Sequence, residues 1–196
     1  LTPNSTKEDV LLAVDSAKRA FDFWSKKDKN YRYKILMSLV EKIELYFEDL
    51  VKAETIDNGK PEWLARSVDI PRASENFRFF ATASLHFDSE IHEMDGKAIN
   101  YTLRQPIGVT GCISPWNLPI YLLTWKIAPA LAAGNTVVAK PSEMTPMTAY
   151  LFSKICQIAT FPKGVINIVH GYGNKVGDAL SRHPDVPIIS FTGGTQ

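Results

Sequence analysis

The chain has 196 residues, of which 45% are hydrophobic and 22% charged, a composition that is typical of a globular protein and excludes a disordered or fibrous one. Its formal net charge of +1 at pH 7 provides no broad basic surface, so we expect no binding of nucleic acid or of a membrane. No apolar stretch reaches the ~18 residues of a membrane span, and the first residues lack the pattern of a signal peptide, so we expect a cytoplasmic protein or one of an organelle matrix.

Residues 1–89 carry the periodicity of helices. Thr6 and Asp9 have the spacing of a capping box, which predicts a helix start. Apolar residues then recur every three or four positions in two predicted helices, the first with Val10, Val14, Ala17, Phe21 and Trp24, and the second with Leu36, Val40, Ile43, Phe47 and Leu50. A turn at residues 57–61 ends the second helix, and a third helical stretch, which Pro71 begins or bends, carries Phe77 on its apolar side.

Residues 90–105 change in character and predict a β arm. Asp95 and Gly96 lie between two short alternating runs, which is typical of a hairpin turn. A lone hairpin leaves unpaired strand edges, and folded proteins usually cover such edges with another chain. We therefore expect this arm to contribute to a homo-oligomer, either a dimer or a tetramer.

Residues 106–196 alternate between strands and helices. The predicted strands are residues 108–114, 135–140, 164–171 and 186–194, and the predicted helices between them are residues 118–134, 145–159 and 174–183. This alternation predicts right-handed crossover units on a parallel sheet, so the fold class is α/β, with N-terminal helices and a β arm before a Rossmann-like sheet. Ligands of such folds bind at the carboxyl ends of the strands.

The two cysteines, Cys112 and Cys156, lie in separate apolar runs without the spacing of metal ligands. Free cysteines in such positions usually behave as small buried hydrophobic residues. We predict two buried thiols, no catalytic role for Cys112 and no metal site.

Polar residues follow the first two predicted strands of the sheet. Asn117, in the run Pro115 to Asn117, is either a helix cap beside an anchoring Trp116 or an uncharged amide that stabilises an oxyanion. Lys140 and Glu143 are either a chance pair on a solvated loop or a pair that binds the hydroxyls of a ribose. In the second case, the Glu143 carboxylate would repel a 2′-phosphate, which favours NAD over NADP.

Glycines follow the last two predicted strands. Residues 171–177 read G-x-G-x-x-x-G, which departs from the common dinucleotide fingerprint, and residues 191–195 read FTGGT. Glycines here would let the backbone approach a pyrophosphate at a helix start, although any tight strand-to-helix turn favours glycine. Each of these motifs is a weak signal of a binding site alone, whereas four successive strand ends that each carry a distinct polar set are a specific one.

Together these stretches resemble the aldehyde dehydrogenase superfamily over essentially the whole chain. The resemblance rests on SPWNLP, WKIAPALAAGNTVVAKPSE, GVINIVHGYGNKVG and ISFTGGT. It implies that Asn117 holds the oxygen of a tetrahedral thiohemiacetal. It also implies an NAD site with Ile113, Ser114, Pro115, Trp116, Lys140, Ser142, Glu143, Gly173, Gly177, Phe191, Thr192, Gly193 and Gly194. Family members usually have Ser at the position of Gly194, so this phosphate contact departs from the pattern.

The resemblance implies an enzyme that oxidises an aldehyde to the acid with NAD, through a cysteine nucleophile and a general-base glutamate. In the family both of these residues lie downstream of the FTGGT turn. We therefore expect the chain to be an N-terminal part of a longer polypeptide, cut at both ends, and inactive by itself. The alternative is a non-catalytic dinucleotide-binding or structural homologue that lacks the nucleophile. Sequence beyond Gln196 separates the two.

The segments DIPRASENFRFFA and WNLPIYLLTWK resemble most the branch of the family that handles muconic semialdehydes. This resemblance places an apolar wall beside Asn117, formed by Leu118, Tyr121, Leu122 and Trp125. Arg72 matches a family position that faces the substrate tunnel, where a guanidinium would bind a carboxylate at the far end of the substrate. The alternative is that Arg72 is a surface arginine on a solvated helix.

Overall fold

The computed structural model describes residues 2–159 and 161–194. Its helices are α1 Lys7–Trp24, α2 Lys29–Leu45, α3 Phe47–Asn58, α4 Glu62–Leu64, α5 Ile70–Leu85, α6 Pro119–Ala132, α7 Met147–Ile158 and α8 Asp178–Ser181. Its strands are β1 Ile91–Met94, β2 Ala98–Tyr101, β3 Val109–Ile113, β4 Thr136–Lys140, β5 Ile166–Ile168 and β6 Ile188–Phe191. Two π-helical turns, Ala65–Asp69 and Gly173–Gly177, precede α5 and α8.

Strands β3 to β6 form a four-stranded sheet in the order β5-β4-β3-β6, and all neighbouring pairs are parallel. The predicted α/β fold with a parallel sheet is therefore confirmed. The chain proceeds from β3 through β4 to β5 on one side and then places β6 on the other side of β3. Such a reversal of the strand order opens a crevice at the carboxyl ends of β3 and β6, where α/β proteins bind ligands.

Helices cover both faces of this sheet, which explains why all five residues of β4 are buried. On one face, Val137 and Ala139 join the core formed with α2, α3, α5, α6 and α7. On the other face, Val138 joins a smaller core that includes Val10 and Val14 of α1 and residues near α8. The alternation of strand side chains thus connects two apolar layers through one sheet.

The predicted first helix is confirmed as α1, with Thr6 as its N-cap. The backbone N–H of Thr6 donates to the Asp9 carboxylate at 2.7 Å. The predicted continuity of the second helix is wrong, because the chain breaks at Tyr46 into α2 and α3. Helix α2 packs mainly on α5 and also on α6 and α7, whereas α3 packs mainly on α7, and the apolar spacing continues through the break. Tertiary packing therefore decides a break that periodicity does not reveal.

Two other predicted helices begin with π-helical turns. Pro71 lies in the first turn of α5, directly after the π-helical turn Ala65–Asp69. Proline lacks an N–H donor and its ring crowds the preceding turn, so a regular α-helix does not pass through it easily. The predicted helix at residues 174–183 is shorter than expected, with the turn Gly173–Gly177 followed by the four residues of α8.

The predicted β arm is confirmed as an antiparallel hairpin of β1 and β2. Asp95 and Gly96 in its turn have φ values of 48° and 70°, in the left-handed region that Asp and Gly tolerate. Every residue of both strands is exposed. Within the described ranges, no helix is long and apolar enough to cross a membrane.

We predict that Gly164→Ala destabilises the protein more than Gly59→Ala does. Both glycines have left-handed backbones, with φ of 80° and 78°, so both substitutions carry a similar backbone cost. A Cβ at Gly164 would lie 2.7 Å from the backbone oxygen of Ser16, whereas a Cβ at Gly59 would meet nothing within 4 Å. Urea unfolding should give a free energy of unfolding lower by about 1–3 kcal/mol for Gly164→Ala than for Gly59→Ala. Equal values would contradict the close approach of α1.

Candidate functional site

The candidate site lies at the carboxyl ends of β3, β4 and β6. Backbone pairing continues beyond the strands, because the N–H of Ser114 donates to the oxygen of Lys140 at 3.2 Å and the N–H of Thr192 donates to the oxygen of Ile113 at 3.1 Å. The three loops that carry the predicted residues therefore start side by side at the crevice.

The first group of predicted residues surrounds the end of β4. The Nζ atom of Lys140 lies 2.7 Å from Oε2 of Glu143 and also donates to the oxygen of Pro141 at 2.9 Å. The backbone N–H of Gly173 donates to the other carboxylate oxygen of Glu143 at 3.3 Å. A Cβ at Gly177 would lie 3.8 Å from Cδ of Lys140, so this glycine is part of the same group.

The Lys140–Glu143 pair differs from the chance pair on a solvated loop that was one alternative. Lys140 is only 2% exposed, which makes that alternative wrong for the lysine.

Burial raises the pKa of the Glu143 carboxyl, but hydrogen bonds from Lys140, its own backbone and Gly173 lower it more, so the pKa lies below its ordinary value. The carboxylate is therefore ionised at neutral pH, and the stability it contributes is lost only as the pH falls through that lowered pKa. Ser142 supports the turn by accepting a hydrogen bond from the Met144 N–H at 3.2 Å.

The loop Pro115 to Asn117 is held through its backbone. The oxygen of Trp116 accepts from the Asn58 side chain at 2.8 Å and from the Thr145 hydroxyl at 3.3 Å. The oxygen of Asn117 accepts from Nζ of Lys60 at 3.4 Å. The side chains of Trp116 and Asn117 are exposed. Helix α6 starts after Leu118 with no side-chain cap, so the alternative of Asn117 as a helix cap is wrong.

The loop after β6 contains Phe191, Thr192, Gly193 and Gly194, while Thr195 of the FTGGT motif lies outside the described residues. The Thr192 hydroxyl accepts from Nζ of Lys126 at 2.5 Å. A Cβ at Gly193 would lie 2.6 Å from the ring of Phe191, so a glycine leaves room for this exposed side chain. Lys126 belongs to α6 and is buried, and this burial lowers its pKa.

A second group of predicted residues lies on α6 and α5. One partly exposed face at the start of α6 is formed by residues that are three or four positions apart, namely Leu118, Tyr121, Leu122 and Trp125. The Trp125 ring contacts Tyr121 and Phe80 in edge-to-face geometry. The Arg72 guanidinium lies over the Tyr121 ring, 5.4 Å from its centroid, and its Nη1 is 3.2 Å from Glu75. Arg72 is half-exposed at the edge of this face.

Sequence reasoning missed several polar residues that hold the site. Asn76 of α5 donates to the oxygen of Tyr121 at 3.1 Å and to the hydroxyl of Thr124 at 3.0 Å, and it is buried. Asn58 and Lys60 contact the Pro115 to Asn117 loop, although their sequence signal is only that of a turn. Lys126 could have been found from the sequence, because it is a charged residue inside an otherwise apolar predicted helix.

The prediction that both cysteines are buried thiols is confirmed. Burial raises the pKa of the Cys112 thiol to about 12 and raises the pKa of Cys156 as well. Thiols of this kind are almost fully protonated at neutral pH and react poorly as nucleophiles. Among the described residues, no three histidine, cysteine or acidic side chains are arranged to hold a metal ion.

Comparison with known proteins identifies the family. The model of the aldehyde dehydrogenase family matches residues 2–196. The chain belongs to the aldehyde dehydrogenase family. The 2-aminomuconic semialdehyde dehydrogenase of Danio rerio is 56% identical over 194 residues, which are 98% of this chain and 40% of that protein. The 2-hydroxymuconic semialdehyde dehydrogenase of Pseudomonas sp. strain CF600 is 46% identical over 97% of this chain and 40% of its own length.

Solved structures of aldehyde dehydrogenases share the fold. An NAD⁺ complex of the aldehyde dehydrogenase from Bacillus cereus has a TM-score of 0.94 and 36% identity, covering 97% of this chain and 39% of that one. PnpE in complex with nicotinamide adenine dinucleotide has a TM-score of 0.91 and 41% identity, covering 95% of this chain and 38% of that one. The chain thus spans about 40% of the length of the curated relatives cited above.

Proposed function

We propose that this chain is the N-terminal, NAD-binding portion of an aldehyde dehydrogenase that oxidises a muconic-type semialdehyde to the carboxylic acid. The observation that carries the proposal is the buried Lys140 with its Glu143 partner at the crevice, next to the Asn117 loop. The relatives named as muconic semialdehyde dehydrogenases support the substrate class.

The residues at the end of β4 fit an adenine ribose. A ribose diol has hydroxyl donors for the Glu143 carboxylate and oxygen acceptors for the Lys140 ammonium. Because Glu143 is ionised, it repels the 2′-phosphate of NADP and favours NAD. Bound NAD supplies a hydride acceptor for the oxidation. Further residues proposed to contact the cofactor are Ile113, Ser114, Pro115, Trp116, Ser142, Gly173, Gly177, Phe191, Thr192, Gly193 and Gly194.

Asn117 is proposed as the oxyanion donor. Its amide carries two N–H donors without a charge that titrates, and its exposed side chain is open to a substrate. A donor stabilises developing charge only if it is already in position, and the bonds to the backbone of Trp116 and Asn117 provide this rigidity.

Arg72 is proposed to bind the carboxylate at the far end of the substrate. Its guanidinium lies against Tyr121 at the edge of the apolar face with Leu118, Leu122 and Trp125. This face suits an unsaturated carbon chain, and the planar fork of arginine matches a carboxylate. Glu75 then serves as the partner that the substrate carboxylate replaces.

The complete protein is proposed to be a cytoplasmic homo-oligomer, a dimer or a tetramer. The exposed hairpin of β1 and β2 carries large apolar side chains at Ile91, Ile99 and Tyr101, each at least 60% exposed. Another copy of the chain that pairs with this hairpin would cover both the strand edge and these side chains.

The proposal predicts that Asn117→Ala in the complete polypeptide lowers kcat for semialdehyde oxidation by about 10²- to 10³-fold, because one oxyanion donor is lost. The affinity for NAD should not change. Asn30→Ala, at an exposed position of α2, is the matched control. Steady-state formation of NADH measures the effect, and the isolated 196-residue chain should form none. A complete polypeptide that binds NAD and oxidises no aldehyde would favour the non-catalytic homologue instead.

We expect Glu143→Gln in the complete polypeptide to raise the Kd for NAD by about tenfold, because a charged hydrogen bond to the ribose is lost. The discrimination against NADP should decrease, since no carboxylate then repels the 2′-phosphate. Titrations of both dinucleotides measure the two affinities, and Glu41→Gln on the exposed side of α2 is the control. An unchanged ratio of NAD to NADP affinity would exclude Glu143 as the determinant.

Arg72→Ala in the complete polypeptide should raise KM for a carboxylated semialdehyde by about 10- to 100-fold and leave KM for a simple aliphatic aldehyde nearly unchanged. Only the first substrate has a carboxylate that needs the guanidinium. Arg78→Ala is the matched control, because Arg78 lies on the same helix, is similarly exposed and pairs with Glu44 away from Tyr121. If both substrates respond equally, or neither does, Arg72 is only a surface charge.

A further inference from the structure

Three charged side chains are buried together beneath the Asn117 loop. Lys60 follows the end of α3, and its Nζ lies 3.0 Å from Oε1 of Glu54 and 3.1 Å from Oδ1 of Asp69. The three side chains are 5%, 0% and 0% exposed. None of these residues belongs to the cofactor group or to the α6 face described above.

This cluster is unfavourable as a stabilising device alone. Two carboxyl groups share one ammonium, and burial raises the pKa of both Glu54 and Asp69. Buried ion pairs often contribute less to stability than apolar residues of the same size, because desolvation opposes the attraction. A cluster of this kind is therefore better explained by the geometry that it imposes than by the stability that it adds.

The third oxygen that faces the Lys60 ammonium is the backbone oxygen of Asn117, at 3.4 Å. Of the three N–H donors of the ammonium, one bonds Glu54 at 3.0 Å and one bonds the Asn117 oxygen, while the Asp69 carboxylate lies at ion-pair distance. The neighbouring Asn58 holds the oxygen of Trp116 at 2.8 Å. Asp57, one residue earlier, accepts from the N–H of Met147 at 2.8 Å, at the start of α7. The last two residues of α3 and Lys60 in the turn after it therefore bind the loops that follow β3 and β4.

We propose that Lys60, oriented by Glu54 and Asp69, is a positioning residue that holds the backbone of Asn117 and thereby aims its amide at the reacting oxygen. This inference rests on the proposed function of Asn117 as the oxyanion donor. The Glu54 carboxylate of α3 accepts a hydrogen bond from the ammonium, and the Asp69 carboxylate of the π-helical turn attracts it, so the ammonium is held beside the Asn117 oxygen. A small displacement of a group aligned for catalysis lowers the rate steeply, so this anchoring matters for kcat.

The test is a double-mutant cycle in the complete polypeptide with the variants Lys60→Met and Asn117→Ala. Lys60→Met should lower kcat by about 10- to 100-fold with KM and the Kd for NAD nearly unchanged. In the Asn117→Ala background, the same substitution should lower kcat by less than about twofold, because the group that it positions is already absent. Lys52→Met on the exposed side of α3 is the matched control.

A second variant separates positioning from folding. Lys60→Met leaves two buried carboxyl groups without a cation and so destabilises the protein, whereas adding Glu54→Gln and Asp69→Asn removes those charges. We expect the triple variant to regain the midpoint of thermal unfolding but not kcat, since the donor to the Asn117 oxygen is still missing. A crystal structure of this variant should show the Asn117 backbone shifted relative to the wild type.

Two results would overturn the inference: a loss of kcat from Lys60→Met that is equally large in both backgrounds, or a triple variant with wild-type kcat. An Asn117→Ala variant with unchanged kcat would instead reject the proposed role of Asn117 itself. The failure of the two proposals is therefore distinguishable in one set of measurements.

Discussion

The parallel pairing of β3 with both β4 and β6 is the constraint on which the candidate site depends. Because β3 lies between β4 and β6 and all three strands are parallel, the loops that follow them leave the sheet at the same edge, beside the crevice between β3 and β6. Backbone bonds from Ser114 to Lys140 and from Thr192 to Ile113 extend this pairing past the strand ends. The relative positions of the loops are thus determined by the sheet before any side chain acts.

Buried lysines then determine the finer positions of the loops. Lys140 binds Glu143 after β4, Lys126 binds the Thr192 hydroxyl after β6, and Lys60 binds the backbone oxygen of Asn117 after β3. An ammonium buried in an apolar core needs oxygen partners, because its lost hydration is costly. Each lysine therefore favours the loop conformation that supplies those oxygens.

The sequence predicted the parts of this structure that depend on local patterns. The alternating strands and helices, the β arm with its Asp95-Gly96 turn and the charged pair at the end of β4 were all visible as periodicity, turn residues or motifs. The break at Tyr46 and the contacts of Lys60 were not, because they depend on residues far away in the chain. Lys60 and Asn117 are 57 positions apart, and only the packing of α3 against the loops brings them together.

The same buried cluster connects the two residues that are proposed to bind opposite ends of the substrate. Asp69 is the last residue of the π-helical turn that leads into α5, and Arg72 follows within the first turn of that helix. Lys60 pairs with Asp69 on one side and binds the Asn117 backbone on the other, so it contacts both the proposed oxyanion donor and the start of the helix that carries Arg72. On the proposed function, the distance between Asn117, which binds the aldehyde oxygen, and Arg72, which binds the carboxylate, is determined by this buried cluster rather than by two independent surface loops. Selectivity for a substrate with charged and reactive groups at opposite ends then follows from a fixed distance, which a shorter aldehyde without a carboxylate does not use.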